Sequence, residues 1–329
     1  MRFKCAQDEF KSNFCYYGCM ARLFTGFQPS GVLHIGNYFG ALKPTVELCR
    51  EHDGIVCVVD YHALTTVRDP KELQKNILNT TRDYMAAGLD PAKTIIFQQS
   101  KVQEHTELAW ILECLVTVKF LELGHAYKDK VAKGLEANTG LFNYPMLMAA
   151  DILLYDTDVV PVGEDQRQHL EYAREAAAKF NNAYGETFKE PKELIQKEIA
   201  IIPGTDGKKM SKSYGNTIPL FGSKDEITKA VLSIVTNSSE GKPEVLHAIH
   251  KNFRAESELE APYNAGNNFK QLKEMLIEDI EALVAPMRAK RDAITDDEVR
   301  RVLKEGSDKA REYAAKKMAD VRVKIGVAI

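Results

Sequence analysis

Two short segments, far apart in the chain, carry side chains suited to gripping a polyphosphate. The first runs from Phe24 to Asn37 (FTGFQPSGVLHIGN), and the second is Lys208 to Ser213 (KKMSKS). In the first, Pro29, Ser30 and Gly31 interrupt a strand-like run, and Gly36 opens a helical pattern through Tyr38, Leu42, Val46 and Cys49. A loop entering a helix leaves backbone N–H groups unpaired at the positive end of the helix dipole, which suits an anion. His34 and Asn37 add side-chain donors at the turn, and Gly36 permits close approach to the backbone. In the second segment, Lys208, Lys209 and Lys212 with Ser211 and Ser213 offer ammonium and hydroxyl donors, the chemistry needed where charge grows on a departing pyrophosphate. Taken alone, each has a plainer reading: an ordinary polar loop, and a solvated basic loop. The second is not a Walker A motif, because no Ser or Thr directly follows Lys208 or Lys209.

A third feature is Asp151, set in the apolar run YPMLMAADILLY from Tyr144 to Tyr155. On a helix, Met148, Asp151, Ile152 and Tyr155 share one face. A carboxylate there is costly unless it is paired. It could accept from a donor-only group such as an indole N–H, pair with an Arg or Lys, or face solvent.

The elements around these residues alternate. Strand signals fall at Arg22 to Thr25, Ile55 to Val59, Thr94 to Phe97 and Val159 to Val162, though Pro161 argues against a central place for the last. Helical patterns fill Pro70 to Tyr84, Gln103 to Val118, Tyr144 to Tyr155 and Gln166 to Phe180. This alternation predicts an α/β fold, a doubly wound parallel (Rossmann-type) nucleotide-binding sheet. Ligands of such sheets sit beyond the strand C-terminal ends, where Gly26, Asp60 and Gly163 fall. After the lysine loop the pattern is helical only: Lys224 to Val235, Asn267 to Met287, and Asp296 to Lys324 with an interruption near Gly306. The expected organisation is an N-terminal extension (1–21), a Rossmann-type domain (22–217) and a C-terminal all-helical region (218–329) whose final helix packs back toward the first domain. Trp110, the single tryptophan, lies in an apolar helical stretch and reads as core.

Bulk properties narrow the class. A chain of 329 residues with 44% hydrophobic side chains can bury a full core. No uncharged apolar run long enough to span a bilayer occurs, so no membrane association is expected. Cys5, Cys15 and Cys19 are poorly spaced for zinc, and the six cysteines read as reduced thiols of a cytoplasmic protein. Met20 stands just before the first strand and is the expected native start. Net charge is −3, but Arg300 to Lys324 holds nine basic against four acidic residues. Such a helix can track a phosphate backbone, or it can be a solvated face.

Taken together, the His34-Ile-Gly-Asn37 turn and the Lys209-Met-Ser-Lys-Ser213 loop resemble the two signatures of class I aminoacyl-tRNA synthetases. Asn37, where many members carry His, resembles the tryptophanyl subfamily. So do VDYHA (Val59 to Ala63), the Asp151 segment and VVPVGEDQ (Val159 to Gln166). The resemblance runs from about Arg22 to the C-terminus and is weakest between Thr217 and Arg291. It implies a tryptophan–tRNA ligase that uses ATP as substrate with Mg2+. Its partners would be L-tryptophan and tRNA(Trp), with a homodimer expected and neither membrane nor DNA. Gln28, Ser30, His34, Gly36, Asn37, Gly163, Asp165, Lys209, Met210, Ser211 and Lys212 would bind ATP. Gln28, His34, Lys209 and Lys212 would be the catalytic set, with no metal held by the protein. Phe24, His62, Tyr144, Met148, Asp151, Val160, Val162 and Gln166 would form the tryptophan pocket, with Asp151 on the indole nitrogen. The competing readings are a tyrosyl-tRNA synthetase, a small ATP nucleotidyltransferase (disfavoured by the helical C-terminal part) and a non-catalytic tRNA-binding paralogue.

Overall fold

The structure, a computed structural model, describes residues 20–134, 136–162, 167–195, 202–236, 243–265 and 268–329. The expected start at Met20, as against Met1, and the three N-terminal cysteines turn on residues 1–19, outside the described residues; so do Gly163, Asp165 and Gln166.

Five parallel strands form one sheet in the order β3-β2-β1-β4-β5: β1 Arg22–Phe27, β2 Asp53–Val58, β3 Ile95–Gln98, β4 Val159–Val162 and β5 Lys192–Ile195. The winding reverses at β1, with β2 on one side and β4 on the other. This opens a crevice beyond the C-terminal end of β1, the usual ligand position in such sheets. The strands are buried on both faces. Leu23, Val56, Val58 and Ile96 enter one hydrophobic cluster, while Phe24, Ile55, Cys57, Val59 and Phe97 enter the other. This period-two division is what strands covered on both sides require.

Helices connect the strands. After β1 come a short α1 (Ile35–Asn37), a π-helical turn (Tyr38–Leu42) and α2 (Lys43–Glu51). After β2 come α3 (Asp60–Ala63) and α4 (Pro70–Ala86), the latter started by Asp69 accepting from the Lys71 N–H with Pro70 at N1. After β3 comes a 3-10 turn (Gln99–Lys101), then α5 (Glu104–Glu113), α6 (Val118–Leu121), α7 (His125–Ala132) and α8 (Thr139–Leu153). Then α9 (Arg167–Tyr184) leads to β5. Beyond the lysine loop follow α10 (Lys224–Leu232), α11 (Glu244–His250), α12 (Glu256–Asn264), α13 (Phe269–Ala293) and α14 (Asp296–Lys324).

Several sequence expectations are corrected. Strand β5 (KELI) escapes notice because Lys192 and Glu193 mask it; it pairs with β4 alone, so charged side chains fit an edge. Strand β4 is interior despite Pro161. Its registered pairing with β1 is Leu23↔Val159, two residues before Pro161, so the missing donor falls past that pairing. Helix α8 begins at Thr139, capped by Asn138 on the Leu141 N–H at 2.8 Å, so Pro145 lies inside it rather than at its start. The pattern expected to run from Gln103 to Val118 breaks after Glu113. Helices α11 and α12, not foreseen, fill the stretch before α13. Trp110 is 67% exposed, because it lies on the face of α5 opposite Leu108 and Leu112, which are buried.

Helix α14 runs unbroken through Gly306. Val299, Val302 and Leu303 enter one hydrophobic cluster; Ala310, Ala314, Met318 and Val321 enter the other. The helix thus passes from one face of the sheet to the other around the β3 edge, with Gly306 at the crossing. A Cβ on Gly306 would lie 2.7 Å from the Ile96 carbonyl carbon and closer still to its oxygen. Beside it, the Gln98 N–H donates to Ser307 Oγ at 3.3 Å. Glycine there reflects close approach to a strand and not a helix end.

Candidate active site

One part of the site is built where the β1–α1 loop meets the lysine loop. His34 and Asn37 cap one another: the Asn37 N–H donates to His34 Nδ1 at 3.2 Å, and the His34 N–H donates to Asn37 Oδ1 at 3.1 Å. With Nδ1 accepting, the ring proton sits on Nε2, which remains as a donor, as does the Asn37 amide. Burial, aided by the charge of Lys212, pushes His34 down to about 4, so the ring is uncharged near neutral pH. The segment after the lysine loop is zipped onto this turn. The Ile35 N–H donates to the Ile218 carbonyl at 3.0 Å and the Leu220 N–H to the Leu33 carbonyl at 2.9 Å.

The lysine loop has an internal frame that the sequence did not reveal. Buried Asn216 accepts from the Ser211 N–H at 2.8 Å and donates to Asp206 at 2.7 Å and to the Lys209 carbonyl at 3.2 Å. Met210 is buried, and a Cβ on Gly36 would lie 3.4 Å from its sulfur. Gly36 therefore makes room for Met210 and the His34 ring. Lys212 reaches across to donate to the Ser30 carbonyl, and burial lowers its pKa against the opposing pull of Asp83. The structure thus joins Ser30, His34, Gly36, Asn37, Met210 and Lys212. Gln28 and Lys209 lie exposed nearby, and Ser211 Oγ lies 2.9 Å from Ser213 Oγ.

A second part centres on Asp151, 1% exposed on α8. Gln99 Nε2 donates to both of its oxygens at 2.8 Å, His105 Nδ1 sits 2.5 Å from Oδ1, and His62 Nε2 lies 3.1 Å from Oδ2. It is closed off from solvent, and among the described residues no Arg or Lys is its partner. Burial pushes the carboxyl up, but the two histidines outweigh it and hold it at about 2. The remaining predicted residues surround this centre unevenly. Phe24 stacks on Tyr155 with ring centroids 5.6 Å apart, and the Tyr144 ring meets the His62 ring edge-on at 6.2 Å. The Tyr144 hydroxyl lies 2.6 Å from His169 Nε2. Met148 is half-buried and Val160 is buried on β4. Val162 is placed only by its pairing with Ile195. Gln99 and His105, both fully buried, were missed; the one available signal was a polar pair, Gln98-Gln99, closing an apolar strand.

The family model described as tRNA synthetases class I (W and Y) matches residues 20–303. The chain is 47% identical over 320 residues to a tryptophan–tRNA ligase of Fusobacterium nucleatum subsp. nucleatum, covering 94% of this chain and 98% of that protein. It is 45% identical over 306 residues to that of Rhodopirellula baltica, covering 89% and 96%. A crystal structure of tryptophanyl-tRNA synthetase from Campylobacter jejuni complexed with ADP and tryptophan matches with a TM-score of 0.87 at 43% identity, covering 93% of this chain and 99% of that one. The chain therefore belongs to the class I tRNA synthetases of the W and Y type. Within that class it is of the bacterial tryptophan–tRNA ligase kind, an aminoacyl-tRNA ligase.

Proposed function

We propose that this chain activates L-tryptophan with ATP, forming tryptophanyl-adenylate and pyrophosphate, and then passes tryptophan to the 3′-terminal ribose of tRNA(Trp). The observation that carries the choice of amino acid is Asp151, an acceptor-only carboxylate enclosed in the second hydrophobic cluster. It suits an indole N–H, a group that donates and cannot accept. Phe24, Met148, Val160 and Val162 would bound the ring, while Tyr144, His62 and Gln166 would hold the ammonium and carboxylate.

No protein nucleophile is required, because the substrate carboxylate attacks the α-phosphate. Catalysis rests on placing the two substrates and on stabilising charge as it moves onto pyrophosphate. His34 Nε2–H, the Asn37 amide and Gln28 would meet the phosphates from the first loop, beside Ser30 and Gly36. Lys209, Ser211 and Lys212 would meet them from the second, with Met210 as the pivot between the loops. Lys212 is already bonded to the first loop and would exchange the Ser30 carbonyl for a phosphate oxygen. Gly163 and Asp165 would face the adenosine. The side chains assigned to the phosphates are donors to anions, so magnesium fits this site as an ion carried on the triphosphate, where it would share its charge.

Residues 22–217 would form the catalytic domain and 218–329 the helical part that reads the anticodon, with the last helix laid back over the sheet. On α14, Arg301, Lys304, Arg311, Lys317, Arg322 and Lys324 are paired with acidic side chains. Arg300, Lys309 and Lys316 would then remain for RNA phosphates. Exposed Trp110, Val118, Leu123 and Val131, on or beside the consecutive helices α5 to α7, would be covered in a homodimer. The reaction would take place in the cytoplasm, where tRNA is charged. Among the described residues no helix is long and apolar enough to cross a membrane.

The deciding experiment is amino-acid-dependent ATP–pyrophosphate exchange with magnesium, tryptophan against tyrosine. Exchange with tryptophan alone supports the reading; exchange with tyrosine overturns the pocket. Exchange with neither, alongside tRNA binding, would make the chain a non-catalytic paralogue.

A further inference from the structure

Asp151 is held by side chains from three separate elements: His62 on α3, Gln99 on the 3-10 turn and His105 on α5. Gln99 spans both oxygens and fixes the plane of the carboxylate. His105 adds a second contact at Oδ1 and His62 a second at Oδ2. The three differ in access: Gln99 and His105 are fully buried, whereas His62 is 7% exposed. Oδ2 is therefore the oxygen bonded to the one of these three side chains that keeps some exposure.

His105 is engaged at both ends. Its Nδ1 meets Asp151, and its Nε2 lies 2.7 Å from the Tyr155 hydroxyl. An ionised carboxylate can only accept, so Nδ1 carries a proton in either charge state of the ring. Burial holds the Tyr155 phenol protonated, so it remains an uncharged partner for Nε2. Tyr155 in turn stacks on Phe24, the aromatic residue entering from β1.

We infer that His105, oriented by Tyr155, is a positioning residue for amino-acid selection: it occupies Oδ1 of Asp151 and leaves Oδ2, shared with Gln99 and His62, as the acceptor presented to the substrate. The inference rests on the reading of Asp151 as the indole acceptor. Its chemical content is that Asp151 stays acceptor-only. A carboxyl that gained a proton could itself donate, and would then tolerate an acceptor at the end of the pocket. Besides His62 and His105, the titratable groups acting here are Cys57 on β2, Asp60 on α3, Glu104 on α5 and Tyr155 after α8. Apart from the two histidines these are anionic when ionised, so with His105 removed only His62 and the Gln99 amide would oppose the pull of burial on Asp151.

The test is tryptophan-dependent ATP–pyrophosphate exchange, followed across pH 5 to 8, with the full chain and four variants. His105→Leu should raise the tryptophan KM about 10- to 150-fold, the equivalent of losing a hydrogen bond to a charged group. The ATP KM should move far less, and an acid limb should enter kcat/KM for tryptophan within that pH range. His105→Asn, whose amide can stand in for Nδ1–H, should recover most of the loss. Tyr155→Phe, which removes only the partner of Nε2, should cost about 2- to 10-fold. Should His105→Leu fail to fold, the other two decide: a wild-type tryptophan KM in both overturns the role. A folded His105→Leu with unchanged tryptophan KM, or with both KM values raised alike, also overturns it. Asp151→Asn separates the two readings. If it leaves the tryptophan KM unchanged, the reading of Asp151 itself has failed; if it raises that KM while His105→Leu is silent, only the role of His105 has failed.

Discussion

Gly306 gives a prediction in which two physical effects oppose each other in sign. In an exposed helix, Gly→Ala stabilises by about 0.8–1 kcal/mol through helix propensity alone. Here the added methyl would sit 2.7 Å from the Ile96 carbonyl carbon, a backbone atom of β3 that is paired to β2 and has little room to yield. Ordinary carbon–carbon contact lies at about 3.5–4.0 Å, so α14 must retreat by about 1 Å. A gap of that size forfeits roughly a quarter to a half of the dispersion energy of the contacts it opens. Those contacts involve Val302, Leu303 and Ala310 on either side. The Ser307 acceptor would also be drawn away from the Gln98 N–H. Overpacking typically costs about 1–3 kcal/mol, and the lost hydrogen bond adds about 1. After subtracting the propensity gain, Gly306→Ala should destabilise by about 1–3 kcal/mol. For 329 residues, that lowers Tm by roughly 1–4 °C. Thermal melts followed by circular dichroism measure this, with the tryptophan KM as a second readout through Ser307, Gln98 and the turn that bears Gln99. A rise in Tm would refute the reasoning, because it would mean propensity acts without the close approach.

Three further outcomes are expected. Lys212→Ala should lower the single-turnover activation rate by about 10²–10³, as loss of a positioned charge donor does, with little change in tryptophan affinity; an unchanged rate removes Lys212 from the chemistry. Asp151→Asn should destabilise the fold near neutral pH, and the difference from the parent should shrink in acid. With the carboxyl held at about 2, its contribution is complete above the unfolded value of about 3.9 and disappears as pH falls through the folded value, so denaturant melts at pH 6 and pH 3 test the sign. His34, pushed down to about 4, should contribute stability fully above its ordinary 6.5 and lose it progressively as pH falls toward 4. Correspondingly, kcat/KM for ATP should show no His34-dependent limb between pH 6 and 8, and a limb near 6.5 that vanishes in His34→Asn would contradict an uncharged ring at neutral pH.

Much of this architecture was legible because β-branched runs alternate with helical patterns, a signal that survives without any tertiary information. What escaped was set by neighbours. The short charged strand β5 is defined by its pairing with β4 and not by its own composition. Pro161 was misjudged because its place in the sheet depends on where the β1 ladder stops. Trp110 was misjudged because an apolar helix does not declare which face is covered. Gly306 looked like a helix break because a close approach to a distant strand leaves the same mark as an end. In the site, Asp151 stood out as a charge inside an apolar run. Its partners lie 46 to 89 residues away, and no local pattern joins them to it. Asn216 likewise passed as a loop residue until the lysine loop was seen folded around it.

The path of α14 around the sheet edge also bears on how the chain is made. Strand β3 leaves the ribosome some 210 residues before Gly306, so at about 5–20 residues per second its outer edge waits roughly 10–40 s for its cover. During that interval the N-terminal sheet carries an open strand flanked by Ile96 and Phe97, the kind of edge that recruits other chains. The last helix therefore acts as a seal on nascent protein, and a chain released before it is complete should be prone to aggregate and dependent on chaperones even though the nucleotide fold has already been synthesised.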